Sequence, residues 1–150
     1  MTTIAYNHKD KEIAADSQST SGYTISSQNV TKLHRLDYGW FAFSGDLADA
    51  YILIDYLSGN ISAESLDLSK LEVGGFILPD KGQPYKIYIS NTGHVVKIEC
   101  NHSWGLGSGR EYALGALHCG ASAKDAVNAA IKYDIYSSGK ILVKKKGQLK

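Results

Sequence analysis

The chain opens MTTIAYNHKDKEIAADSQST, with Thr2 directly behind the first methionine. A threonine made amino-terminal by loss of Met1 carries two reagents in one residue. Its hydroxyl attacks a carbonyl carbon, and its α-amine takes the hydroxyl's proton. An ordinary α-amine titrates near ~7.7–8.0, so it serves as a base at neutral pH with little tuning. This is the threonine and N-terminal amine form of an activated nucleophile. The small side chain of Thr2 is of the kind that methionine aminopeptidase accepts. While Met1 remains, the Thr2 nitrogen is an amide and has no basic lone pair. A plainer reading makes Thr2 and Thr3 the start of a β-strand, since threonine suits a pleated, half-buried surface.

Other chemistries find little support. His8, His34, His94, His102 and His118 are dispersed, and none forms a pair one helical turn apart, so no metal or other cofactor is expected. Cys100 and Cys119 have no close partner motif and read as buried or incidental thiols of a reducing compartment. A formal net charge of +1 with interleaved signs gives neither a nucleic-acid footprint nor a membrane-surface patch. The basic end VKKKGQLK is expected to be a last strand fraying into solvated lysines, the alternative being a basic tail. With no charged start leading into an apolar segment and no membrane-length apolar run, a cytoplasmic protein is expected. The N-x-S/T matches at Asn29, Asn60 and Asn101 then count as chance.

The elements that must position Thr2 are read from pattern. TTIAY and EIAAD are short β-like runs joined by a polar connection of hairpin length. A polar loop, SQSTSGYTISSQ, separates them from VTKLHRL and WFAFSG, a second pair turning at DYG, so four strands are expected before any helix. SGDLADAYILIDYLSG gives the first helix, started by Asp46 and ended by Gly59, with apolar residues on several faces, as in a sandwiched helix. VGGFILPDKGQPYKIYIS is two strands about a PDKG turn, and HVVKIE is another. REYALGALHCG and SAKDAVNAAIKYD are helical, the latter started by Ser122 with Asp125 three positions on and striped by Ala126, Val127, Ala130 and Ile131. KILVKK closes a sheet. At 150 residues, without repeat or linker, this is one layered α+β domain spanning 1–150.

In this order the blocks resemble the HslV and proteasome β-subunit family of N-terminal nucleophile hydrolases, especially its short relatives in phages and bacteria. TTIAY looks like the mature first strand, IAADSQST the second and NVTKLHRL the lysine strand. FSGDLADA resembles the glycine turn and first helix, GLGSGREYALGAL the serine turn, and YDIYSSG the D-x-Y-S-G-G segment. The resemblance covers nearly the whole chain. It implies a four-layer αββα sandwich, a threonine-type peptidase or amidohydrolase, and the host's cytoplasm if the chain is phage-encoded.

The resemblance also implies roles. Thr2 would be nucleophile and base. Lys32 would sit beside its hydroxyl, ease alkoxide formation and keep the amine neutral, and Asp16 would orient Lys32. An ordinary cross-strand ion pair is the plain alternative for those two. Gly45 would present its backbone N–H to the oxyanion, although a strand-to-helix turn also favours glycine. Ser108 would hydrogen-bond the Thr2 amine, and a helix N-cap is the plainer reading, with both able to hold together. Asp134 and Ser137 would hold the N-terminus from the end of the last helix. His34, Phe43 and Leu47 would shape a pocket for small or medium apolar side chains, or belong to the core.

The chain also departs from that family. FSGDLADA is followed by about one helix, with SAESLDLSKLE supplying a turn or two, where the family carries two long helices. A shortened first helical layer follows, and a double ring is put in question, while a homo-oligomeric ring remains expected. Asp46 replaces the second glycine of the oxyanion turn, adding charge that disfavours acidic substrates, and a serine replaces one glycine in SSG. Peptides or unfolded proteins are the expected substrates, with a possible ATPase unfoldase as partner. A catalytically silent ring or scaffold protein and a small-molecule amidase are the competing readings.

Overall fold

The computed structural model describes every residue except Ala63 and Ser65. The strands in chain order are β1 (Thr3–Asn7), β2 (Glu12–Ala15), β3 (Ser19–Ser21), β4 (Thr24–Ser27), β5 (Leu33–Leu36), β6 (Gly39–Gly45), β7 (Val73–Pro79), β8 (Tyr85–Ile89), β9 (Val95–Glu99), β10 (Trp104–Gly107) and β11 (Leu142–Lys145). The helices are α1 (Leu47–Leu57), α2 (Arg110–His118) and α3 (Ala123–Ile131). One sheet has the order β10-β1-β2-β11 and the other β5-β6-β7-β8-β9, every pair antiparallel.

Side-chain alternation stacks these sheets into four layers. Ile4, Tyr6, Ile13 and Ala15 face inward and pack on Leu33, Trp40, Ala42, Phe76 and Leu78 of the second sheet. Their neighbours Ala5 and Ala14 face outward, where lack of bulk lets α2 and α3 close over them through Ala113, Ala126, Val127 and Ala130. Phe41 and Phe43 of β6 face the other way and carry α1 through Ala50 and Leu53. The result is an αββα sandwich whose outer layer on the second sheet is, among the described residues, the one helix α1. Both faces of β1 are covered, which explains why its five residues are all buried and show no polar face. Burying a side chain the size of Phe76 contributes about 1.5–3 kcal/mol, so this interior fixes where the end of β1 lies.

Several local expectations are corrected. The polar loop forms the hairpin β3–β4, so six strands precede α1; exposure of this ribbon accounts for its serines and threonines. Trp104–Gly107 is a strand, because pairing with β1 overrides the low strand propensity of its glycines. The first helix is capped by Asp46, which accepts from the Asp49 N–H at 3.0 Å, but only Ala50 and Leu53 are fully buried and Tyr51 is exposed, so it lies on the sheet rather than between layers. The stretch before β7 carries the 3-10 turn Leu68–Lys70. The basic end does not fray at β11: Lys146 N–H donates to the Lys11 carbonyl, and Trp40 Nε1–H donates to the Gln148 carbonyl at 2.6 Å. Cys100 is buried and Cys119 exposed, both free. Among the described residues no helix is long and apolar enough to cross a membrane, and no His, Cys, Asp or Glu cluster is arranged to hold a metal ion.

Candidate active site at the edge of the first strand

Thr2 directly precedes β1 and is 3% exposed. Two antiparallel neighbours, β2 and β10, hold the strand it leads into. From the β2 side comes Asp16, one residue beyond the strand end and fully buried. Its Oδ1 accepts the Thr3 N–H at 2.9 Å and Lys32 Nζ at 2.9 Å, while Oδ2 accepts the N–H groups of Gln18 at 3.2 Å and Ser138 at 3.1 Å. Lys32, just before β5, is 3% exposed and also donates to the Met1 carbonyl at 3.0 Å. This is a buried, hydrogen-bonded ion pair rather than a surface one. Burial pushes the Lys32 ammonium below its ordinary range, and the Asp16 carboxylate opposes that fall.

The β10 side supplies a tight turn. The Thr2 carbonyl accepts the Gly109 N–H at 3.4 Å, and a Cβ at Gly107 would fall 2.0 Å from that carbonyl oxygen, so only glycine lets the turn approach. Between them, Ser108 Oγ lies 3.3 Å from the Thr2 carbonyl oxygen and 2.7 Å from Asp134 Oδ2. Ser137 Oγ donates to the same Oδ2 at 2.6 Å and lies 2.6 Å from Thr3 Oγ1. The helix-cap alternative for Ser108 fails, because the cap of α2 is Gly109. Asp134 sits three residues beyond the end of α3, in the following turn, and also accepts the Tyr136 N–H at 3.2 Å.

A small cleft of about 150 Å³ opens here, with Met1, Thr2, Lys32, Phe43, Gly45 and Leu47 among its walls. A wider one, about 550 Å³, continues on the other side of Met1 between Asp46, Glu72, Ser108 and Arg110. Gly45 borders both. Its φ of +128° is strained for any other residue, and a Cβ would fall 2.2 Å from the Glu72 carbonyl oxygen. Gly45→Ala is therefore expected to lower stability by about 1–3 kcal/mol through backbone strain alone, read as a drop in the urea midpoint. His34 does not line the small cleft; it stacks behind Phe43 at 5.6 Å and meets Tyr51 edge-on at 5.8 Å. Burial lowers its pKa, with the Thr31 backbone opposing.

Thus Thr2, Lys32, Gly45, Phe43 and Leu47 line the small cleft and Ser108 the wider one, while Asp16, Asp134 and Ser137 are buried behind them, hydrogen-bonded to Lys32, Ser108 and Thr3, and His34 lies one layer behind Phe43. Sequence reasoning missed Thr3, which joins Asp16 to Ser137, and Gln18, whose Nε2 donates to the Ile135 carbonyl at 3.1 Å. The repeated threonine was the available signal for the first, but its partner lies 134 residues away. Met1 is 57% exposed and its amine donates to Thr20 Oγ1 at 3.3 Å. Burial and then the Lys32 charge push that amine below its ordinary pKa, against the carboxylates of Asp16 and Asp134.

Comparison with known proteins gives the same neighbourhood from three directions. The Proteasome subunit family model matches residues 1–71. The ATP-dependent protease subunit HslV of Campylobacter jejuni (strain RM1221) is 29% identical over 163 aligned residues, covering 95% of this chain and 89% of that protein. HslV of Aliarcobacter butzleri is 32% identical over 136 residues, covering 77% and 74%. Among solved structures, eukaryotic HslV from Trypanosoma brucei matches with a TM-score of 0.74 at 23% identity over 95% of this chain and 98% of that one. Thiobacillus denitrificans BPH in complex with epoxomicin matches with a TM-score of 0.71 at 20% identity over 98% and 100%.

Proposed function

The chain belongs to the HslV and proteasome β-subunit family, and on that premise we propose that it is a peptidase whose nucleophile is the Thr2 hydroxyl, freed for use by removal of Met1. The observation that carries this reading is the buried Lys32–Asp16 pair at residue 2, with Lys32 Nζ already donating to the carbonyl joined to the Thr2 nitrogen.

With Met1 gone, the Thr2 amine stands one residue deeper among the same groups. Burial and the Lys32 charge favour its neutral form, the form able to act as base. The amine takes the Thr2 Oγ proton as Oγ attacks the carbonyl carbon of the scissile amide. The Gly45 N–H, at the cleft margin, stabilises the oxyanion that forms. The protonated amine then gives its proton to the departing amine, leaving an acyl ester on Thr2 Oγ. Water, deprotonated by the same amine, adds to the ester; collapse of that intermediate releases the acid and returns the proton to Oγ. Phe43 and Leu47 suit an apolar side chain before the scissile bond, and Asp46 weighs against acidic substrates.

Homo-oligomeric ring assembly, with unfolded protein fed by an ATPase partner, belongs to the same proposal. Exposed Tyr51 and the tilted ring pair Tyr112 and Tyr133 support self-association.

The test is the intact mass of purified protein before and after an epoxyketone such as epoxomicin, with light scattering for copy number. The expected result is a chain lacking Met1 that gains one adduct on Thr2. A fully retained Met1, or a Met1-free chain that takes no adduct, would refute the peptidase reading and favour a silent ring protein.

A further inference from the structure

Thr3 is fully buried, yet every polar group it owns is engaged at the candidate site. Its N–H donates to Asp16 Oδ1, the oxygen that also accepts Lys32 Nζ, and its carbonyl accepts the Asp16 N–H at 3.1 Å. Its Oγ1 meets Ser137 Oγ at 2.6 Å. The space around that hydroxyl is tight, for a Cβ on Gly109 would fall 1.9 Å from Thr3 Oγ1.

Counting protons gives this chain a direction. Ser108 and Ser137 each own one hydroxyl proton, and Asp134 Oδ2 accepts both, at 2.7 and 2.6 Å. The remaining contact of Ser137 must then receive a proton, so Thr3 is the donor. The order runs Thr3 O–H to Ser137 O–H to Asp134. Ser108 Oγ reaches residue 2 at the Thr2 carbonyl oxygen, 3.3 Å away, and with its proton on Asp134 its lone pairs stay free to receive an N–H of a freed Thr2 amine.

We propose that the Thr3 hydroxyl is a positioning residue for the Thr2 reaction: it polarises Ser137, spreads the charge of Asp134 over two strong donors, and so holds Ser108 and the Thr2 amine in their working polarity. This rests on the Thr2 reading above. Donation into Ser137 strengthens Ser137's own bond to Asp134, and loss of it leaves more bare charge on the carboxylate. A barer carboxylate favours the protonated amine, which cannot act as base.

Thr3→Val keeps the shape and removes the donor. The expected result is a kcat lower by roughly five- to tenfold, the worth of one neutral hydrogen bond, with KM little changed. The acid limb of the kcat/KM profile should move to higher pH, and Thr3→Ser should restore both. An unmoved limb with wild-type kcat overturns the proposal, and so does Thr3→Ser being as impaired as Thr3→Val. Should Thr3→Val not fold, Ser137→Ala breaks the same bond from the other end; its limb must also move up, and a limb left in place overturns the proposal. Epoxyketone labelling of wild type separates two failures. If wild type forms the Thr2 adduct while these limbs stay put, Thr3 alone is misassigned; if it forms none, the proposal falls with the Thr2 reading.

Discussion

Thr2→Ala, prepared with Met1 removed, is expected to lose about 10⁴-fold or more in turnover, the scale on which removal of a nucleophile working with its base lowers kcat. The fold should not change. The hydrogen bonds at residue 2 that tie the turn to β1 run through its carbonyl, from Gly109 N–H and near Ser108 Oγ, and alanine keeps that carbonyl. Melting temperature and copy number should therefore match wild type, while the epoxyketone adduct disappears. Thr2→Ser retains hydroxyl and amine and is expected to keep measurable turnover. A chain forced to keep Met1 should be as inactive as Thr2→Ala, because acylation of the nitrogen removes its basic lone pair. Full activity in Thr2→Ala, measured against a fluorogenic peptide, would remove Thr2 from the mechanism.

The second large effect is on stability. Asp16→Asn should cost about 3–5 kcal/mol, as breaking a buried ion pair from one side does. The carboxylate accepts four donors, three of them backbone N–H groups, and the amide that replaces it turns a donor toward at least one. Lys32 is also left without its counter-charge. Burial already holds its pKa below 10.5, and loss of Asp16 takes it lower. Between the folded value and 10.5 the unfolded chain binds a proton that the folded chain does not, so stability rises with pH there. The deficit of Asp16→Asn relative to wild type should accordingly shrink as pH is raised toward the ordinary lysine range. Urea unfolding at a series of pH values reads both; a deficit below about 1 kcal/mol that is flat with pH would contradict the role given to the pair.

Much of this arrangement was legible before any coordinates. Strand pairs about DYG and PDKG, the Asp46 cap and the Ser122 cap are written in short-range turn and capping chemistry, and each stands where that chemistry puts it. Asp16, Lys32 and Asp134 lie far apart in sequence, and only the order of family-like blocks pointed to their meeting. Other features had no local signal. Trp104–Gly107 looks like a turn because two of its residues are glycine, and it is a strand only because β1 offers an edge. The hairpin of residues 19–27 has no buried face, hence no alternation to read. His34 shares a strand face with the pocket by register, but the Phe43 ring comes between it and the cleft.

The link between Thr3 and Ser137 spans 134 residues, and that between Ser138 N–H and Asp16 spans 122. Strand β11, which follows both, pairs directly with β2, the strand that delivers Asp16. Such contacts close the largest loops in the chain and therefore form late, after the local hairpins and helices. A nascent chain that ends before residue 134 has Thr2, Asp16, Lys32 and Ser108 but neither Asp134 nor Ser137. On the proposed mechanism, synthesis itself acts as a safety catch: a chain made only as far as Lys32 holds a threonine and a lysine, and becomes a peptidase only when β11 has paired with β2.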